Sequence, residues 1–208
     1  MTVETRIVGR VPRLITAADR AQVFRRCLEV LAEPGVVRDL AAVFADRCDA
    51  GASECSIASA PVLVLSDLLT PLAALPGDDA AVEEITRVAA LTHAPILGHE
   101  EARLVLALQP PRREGLLGLH RGTLLEPHTA ALLVVGVESV GAGAGRLLRL
   151  TGPGIRDVAE LTVDGLGDDL LAARAEALDY PLGFDLLLVD PQGRMAGLPR
   201  TTRVEVTS

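Results

Sequence analysis

The sequence predicts an α/β fold: a mixed sheet with helices on its faces, in three α/β/α layers. Three observations carry that prediction. Apolar runs of strand length recur at Leu104–Leu108, Ala130–Val137 and Phe184–Val189, between segments whose apolar residues follow helical spacing. Strand and helix patterns alternate along the chain without an internal repeat. Apolar residues make up 49% of the chain but aromatics only 2%, with no Trp. The core is therefore built from Ala, Leu and Val, small units that must interdigitate in number. A chain of 208 residues suits one domain over 1–208, with a short N-terminal arm at 1–15.

Thr16 is placed to cap a helix from Ala17, with Phe24, Cys27, Leu28 and Leu31 inward and Arg25, Arg26 and Glu29 off that stripe. Pro34-Gly35 stops it. Val36–Val43 reads as a short strand and turn, and Ala50–Ser53 as a loop. Ile57–Leu69 is mostly apolar, and periodicity does not decide between strand and helix. After the breakers Pro71, Pro76 and Gly77, Asp78 or Asp79 caps a helix to about Leu91. Its inward face is Val82, Ile85, Val88 and Ala89, with a Glu83–Arg87 pair outside. Leu104–Leu108 is a buried strand and Pro110–Arg113 a linker. Ala130–Val137 and Arg146–Leu150 are strands joined through the glycine run 141–145 as a hairpin connection. Val158–Val163 is a further strand, Asp168–Leu178 a capped helix, and Phe184–Val189 a central strand.

Composition excludes several function classes. A net charge of −8 argues against a nucleic-acid surface, which needs a basic stripe. No apolar run reaches membrane-span length, and residues 1–12 lack the apolar block of a signal peptide, so a cytoplasmic location is expected. Cys27, Cys48 and Cys55 form no CxxC pair, and His93, His99, His120 and His128 show no metal-ligand spacing, so no metal is expected. Cys27, on the apolar side of its helix, reads as a small buried hydrophobe. All 20 basic residues are Arg. Without lysine the chain has no side-chain amine for a Schiff base and no P-loop lysine.

Four constellations carry candidate chemistry. The glycine run 141–145 lacks the G-x-G-x-x-G spacing and leads into a strand, not a helix, so it is no dinucleotide loop. Thr151-Gly152-Pro153-Gly154 suits a type II turn, with Pro fixing the first φ and Gly supplying the second, positive one. Gly152 and Gly154 also permit close approach of a ligand or partner, and Thr151 adds a hydroxyl. In Leu198-Pro199-Arg200-Thr201-Thr202-Arg203, two guanidiniums and two hydroxyls fall within four residues. On an extended chain Arg200 and Thr202 share one face, Thr201 and Arg203 the other, and either face could grip a phosphate or carboxylate. Internal Arg–Asp pairing is the competing use, since residues 151–208 hold five Arg against ten Asp plus Glu. His128, two residues from Glu126, raises acid–base work against a plain structural histidine. No G-x-S-x-G and no paired catalytic carboxylates are visible.

The order and spacing of Leu150–Ile155, Tyr180–Asp185 and Leu198–Arg203, with Gly122–His128 and a first helix ending at Glu33-Pro34-Gly35, resemble the H subunit family of the bacterial carbon–phosphorus lyase system. The resemblance implies a part in phosphonate use as a phosphorus source. In that system an alkylphosphonate is joined to the ribose of ATP with displacement of adenine, and a radical iron–sulfur subunit later cleaves the carbon–phosphorus bond. It further implies an accessory subunit without catalytic residues or cofactor, working with G, I, J and L subunits and homodimeric in isolation. Its fold would be a reduced pyridoxal-phosphate-dependent transferase, and the missing lysine closes the usual covalent route to that cofactor. The alternative is an independent protein or enzyme binding a nucleotide or phosphonate in a cleft near Thr151–Gly154 and Arg200–Arg203.

Overall fold

The computed structural model describes residues 10–12, 15–44 and 53–207. Most of the expected arm (1–9, 13 and 14), Cys48 and the loop residues 50–52 lie outside them. Strand β1 (Arg10–Pro12) pairs antiparallel with β3 (Ser53–Ser56). Helix α1 (Ala17–Ala32) opens on the expected cap, now a reciprocal box. Thr16 Oγ1 accepts from the Asp19 amide at 3.2 Å, and the Asp19 carboxylate accepts from the Thr16 amide at 2.8 Å.

The buried stripe of α1 differs from the expected one. Val23, Cys27 and Val30 are buried, whereas Phe24 and Leu28 are exposed. The Val30 backbone packs so tightly on β11 (Arg194–Leu198) that a Cβ at Gly197 would overlap it. That contact fixes the rotation of the helix, and the second apolar stripe turns outward. Burial pushes the Cys27 thiol from its ordinary 9.0 up to about 12. Between pH 9 and 10 the unfolded chain therefore loses a proton that the folded chain keeps, and stability falls as pH rises. Relative to Cys27→Ala, the wild type should lose about 1.4 kcal/mol between pH 8 and pH 10. Urea unfolding of both chains at the two pH values measures this; parallel behaviour would show an accessible thiol.

Val36–Val43 divides into β2 (Arg38–Asp39) and helix α2 (Ala41–Phe44). Ile57–Leu69 resolves into a 3-10 turn at Ile57–Ser59, helix α3 (Ala60–Leu65) and a loop. Between the two prolines that read as breakers lies β4 (Leu72–Ala74). Helix α4 (Asp79–Thr92) is capped by Asp78, which accepts from the Ala81 amide at 2.9 Å. It buries Ala81, Glu84, Ile85 and Val88 and leaves Val82 exposed, against expectation; Glu83 and Arg87 pair at 3.3 Å. Strand β5 (Leu104–Ala107) and β6 (Leu132–Gly136) match the sequence reading, but the linker between them runs into helix α5 (Arg113–Leu117). Then follow β7 (Ser139–Val140), β8 (Arg146–Thr151), β9 (Ala159–Asp164), α6 (Asp168–Ala177) and β10 (Asp185–Val189). Gly167 stands at the N-cap of α6, so no side chain caps that helix. The chain closes with β11 and β12 (Arg203–Thr207).

The main sheet has the order β2-β11-β10-β6-β5-β4. Strands β4, β5, β6 and β10 run parallel, with Leu72, Leu104, Leu132 and Asp185 in one register row, while β11 returns antiparallel. Successive residues feed opposite faces, as the pleat requires. Leu187 and Val134 join the core under α1, α3 and α4; Leu186, Leu188 and Leu133 join the other. The expected α/β/α layering is corrected on that second face. Helices α5 and α6 share it with a four-stranded antiparallel sheet of order β12-β8-β9-β7, which contributes Val140, Leu148, Leu150, Leu161 and Val163. The hairpin reading of residues 130–150 also fails, because β6 and β8 belong to different sheets and both β7 and β8 pair with β9.

Candidate functional site

The sequence-distant segments 151–154, 183–185 and 198–203 converge where β10 begins and β11 ends. Thr151 closes β8 and pairs in register with Arg203, which opens β12. The Gly152 carbonyl accepts from the Ile155 amide at 3.1 Å, closing a turn with Pro153 and Gly154 at its corners and Gly154 at φ +81. This is the type II geometry read from the sequence. The close approaches, however, come from the chain itself. A Cβ on Gly152 would lie 2.8 Å from the Thr201 carbonyl oxygen, and one on Gly154 would overlap the Ala32 carbonyl oxygen at the end of α1.

The Arg200–Arg203 segment is not extended. The Thr202 amide donates to the Pro199 carbonyl at 2.9 Å, so the alternating faces expected there do not form. Thr201 is half-buried, Thr202 is 1% exposed and Arg203 is exposed. Arg200 is held from four directions. Its Nη1 donates to the carbonyls of Pro127 (2.7 Å) and Gly183 (3.4 Å). Its Nη2 lies 3.1 Å from Asp185 Oδ2, and its amide donates to Asp185 Oδ1 at 2.7 Å. The internal Arg–Asp pairing weighed at the sequence level is the one realised. Replacing Arg200 with alanine should remove about 2 kcal/mol of stability by urea denaturation, since a charge-assisted network is lost from a mostly buried place. Arg200→Lys should recover less than half of this, because an ammonium cannot reproduce the planar fork; full recovery would refute the fork argument.

Beneath the turn sits Arg174, which sequence reasoning missed. Its Nη2 donates to the carbonyls of Pro199 (2.5 Å) and Thr202 (3.0 Å). The side chain is 3% exposed, and burial pulls its guanidinium from 12.5 down to about 10, opposed by the charge of Asp185. A signal existed: Leu170, Ala173 and Ala177 are all buried, and helical spacing puts position 174 among them. Arg174 Nε and Thr202 Oγ1 are both buried without a hydrogen-bond partner among the described residues. His128 is exposed on the 3-10 turn Pro127–Thr129, and its carbonyl lies 3.5 Å from Arg103 Nη1. No hydrogen bond joins its imidazole to the Glu126 carboxylate among the described residues, so the acid–base pair raised by their spacing does not form.

The opposite edge, where parallel strands end, is the usual ligand crevice of open α/β sheets. Here two carboxylates close it. Asp78 Oδ2 accepts from the amides of Leu108 (2.6 Å) and Gln109 (2.8 Å). Asp190, 1% exposed, accepts from Val140, Gln192 and Arg194 amides and from Arg194 Nε at 2.7–3.0 Å. Among the described residues no group of three His, Cys, Asp or Glu is arranged to hold a metal ion, and no helix is long and apolar enough to cross a membrane.

A family model described as "Bacterial phosphonate metabolism protein (PhnH)" matches residues 15–205, a range that contains all of the converged segments. Over 86 residues the chain is 40% identical to a Stutzerimonas stutzeri protein named "Putative C-P lyase subunit protein HtxG". That alignment spans 41% of this chain and 43% of the relative, less than half of each.

Proposed function

Because the chain belongs to the PhnH family of bacterial phosphonate metabolism proteins, we propose that it serves as an accessory subunit of a carbon–phosphorus lyase system. Its role is to support transfer of an alkylphosphonate to the ribose of ATP, with adenine displaced, alongside G, I, J and L subunits in the cytoplasm. One observation carries the accessory reading beyond the family match. At the point where the family-like segments meet, the Arg200 guanidinium that would bind or act on a substrate is tied to Asp185, Pro127 and Gly183. The arrangement braces a surface. In this reading a frame like that of a reduced pyridoxal-phosphate-dependent transferase is put to structural use, as a homodimer until its companions bind. The test is complementation. In a strain lacking its own H subunit, this chain should restore growth on methylphosphonate as sole phosphorus source; failure with the protein present and folded would refute the role.

A second reading rests on the unpartnered Arg174 Nε and Thr202 Oγ1. A buried donor and hydroxyl left open beside a cationic group form the kernel of an anion site. Isothermal titration with ATP and with methylphosphonate decides it: heat that vanishes in Thr202→Val supports an independent ligand site, and no heat with either ligand removes it.

A further inference from the structure

Strand β12 ends the second sheet and, among the described residues, pairs with β8 alone. Its five residues meet Thr151 to Leu147 one for one, with no bulge. Its other side therefore presents a straight row of backbone N–H and C=O groups. Edge strands are ordinarily blunted by proline, lysine, a bulge or brevity. Arg203-Val204-Glu205-Val206-Thr207 has no proline, lysine or bulge, and it is no shorter than the central strands β6 and β10. Val204 and Val206 stand opposite Leu150 and Leu148, on the face that packs into the core. Yet Val206 is 49% exposed, so that apolar layer runs out uncovered at the edge. Arg203 and Glu205 lie on the outer face and are both exposed. Neither side chain makes a hydrogen bond or ion pair among the described residues, although Glu205 stands opposite Arg149 in the register.

Those two charges select the occupant of the edge. A free cation and a free anion two positions apart penalise an arbitrary incoming strand, which would have to supply the reverse pattern. This chain supplies that pattern itself. A copy related by a two-fold axis perpendicular to the sheet runs antiparallel to β12 and keeps every side chain on its own face, so residues of like parity stand opposite. Centred on Arg203, the pairing sets arginine on arginine; centred on Glu205, it sets glutamate on glutamate. Centred on Val206, it leaves Arg203 without an opposite charge. Centred on Val204, Arg203 of each copy meets Glu205 of the other, twice by symmetry, and the two Val204 side chains meet at the axis. Val206 then comes beside the copy's Thr202, and the apolar layers of the two copies become continuous.

We propose that two copies of this chain join through β12, antiparallel about Val204, so that their four-stranded sheets form one continuous sheet. This rests on the homodimeric state proposed above and adds the surface that forms it. A short edge gives a contact at the small end of interface size, so the wild-type full chain should pass from dimer to monomer on dilution in light scattering. Glu205→Arg and Arg203→Glu should each weaken the dimer at least about tenfold, since each acts twice, and Arg203→Glu/Glu205→Arg together should restore it. Glu160→Arg, opposite the same Arg149 but on β9 inside the sheet, should dimerise as wild type. Cross-linking reads the register. With Cys48 and Cys55 replaced by serine and the buried Cys27 kept, Val204→Cys should form a disulfide between copies on oxidation, because facing Cα atoms lie about 4.5–5.5 Å apart. Val206→Cys should not, at about 14 Å from its counterpart. All variants should keep the wild-type circular dichroism. A dimer indifferent to both charge reversals, or one that Val204→Cys does not link, overturns this surface and leaves the homodimer standing. A double reversal that fails to restore the dimer also overturns it. A wild type that is monomeric at every concentration overturns both surface and homodimer, while the accessory role stands on complementation. Charge reversals that spare self-association but abolish binding to a companion subunit mark the edge as the companion's site, and likewise overturn the proposal.

Discussion

Replacing Asp190 with alanine should remove about 4 kcal/mol of folding stability, lowering the thermal midpoint by about 10 °C for a chain of this size. The carboxylate is 1% exposed and accepts four hydrogen bonds. Two partners, the Gln192 and Arg194 amides, shape the hairpin between β10 and β11. A third, the Val140 amide, belongs to β7 and the second sheet. The fourth is the Arg194 guanidinium. Alanine leaves buried donors without an acceptor and unties the two sheets together. Bonds to a charged acceptor are worth about 1.5–3 kcal/mol each but do not add, because the freed groups partly find water. Asp190→Asn keeps the shape but turns an amide donor toward at least one of these donors, so it should lose about half as much. Circular dichroism melts of the three chains give the ranking; an asparagine variant as stable as wild type would show that charge is irrelevant there.

Gly154→Ala should cost at least about 3 kcal/mol. A residue with a Cβ pays about 1–2 kcal/mol for the left-handed backbone found at φ +81. The new methyl would also overlap the Ala32 carbonyl oxygen, so the end of α1 must move. Pro153→Ala, at the exposed neighbouring corner, should cost under about 1 kcal/mol. The pair separates two uses of the glycine. Were Gly154 small to admit a ligand, alanine would cost only about 1–2 kcal/mol, for the left-handed backbone, and would chiefly alter binding. A glycine holding helix to turn gives a large loss of stability in the isolated protein.

Local chemistry was legible wherever it decided the structure. The Thr16 and Asp78 caps, the Pro153-Gly154 turn and the runs that became β5, β6 and β10 depend on residues within a few positions of one another. What depends on distant partners was not. Helix α1 carries two adjacent apolar stripes, and its contacts with β11 and α3 decide that Val23 and Cys27 go in while Phe24 and Leu28 stay out. Strand β4 is three residues long with two alanines, too short to show a period. The Pro199–Thr202 turn looks extended as a string because the group beneath it, Arg174, comes from another element. For the candidate site, sequence located the segments that meet but not their use. Arg200 and Gly154 proved to serve internal contacts. The functional reading rests on the family match, which no single side-chain arrangement could supply.

Tyr180 is the only tyrosine, and there is no tryptophan. Its ring stands in solvent ahead of β10, on the edge of the main sheet, while the core is aliphatic apart from phenylalanine. Ultraviolet-excited emission of the protein therefore comes from one place, and that place is the edge. It will hardly register unfolding of the interior. It will register whatever comes to rest on that edge, so a tryptophan-free companion could be titrated in and watched without attaching any dye.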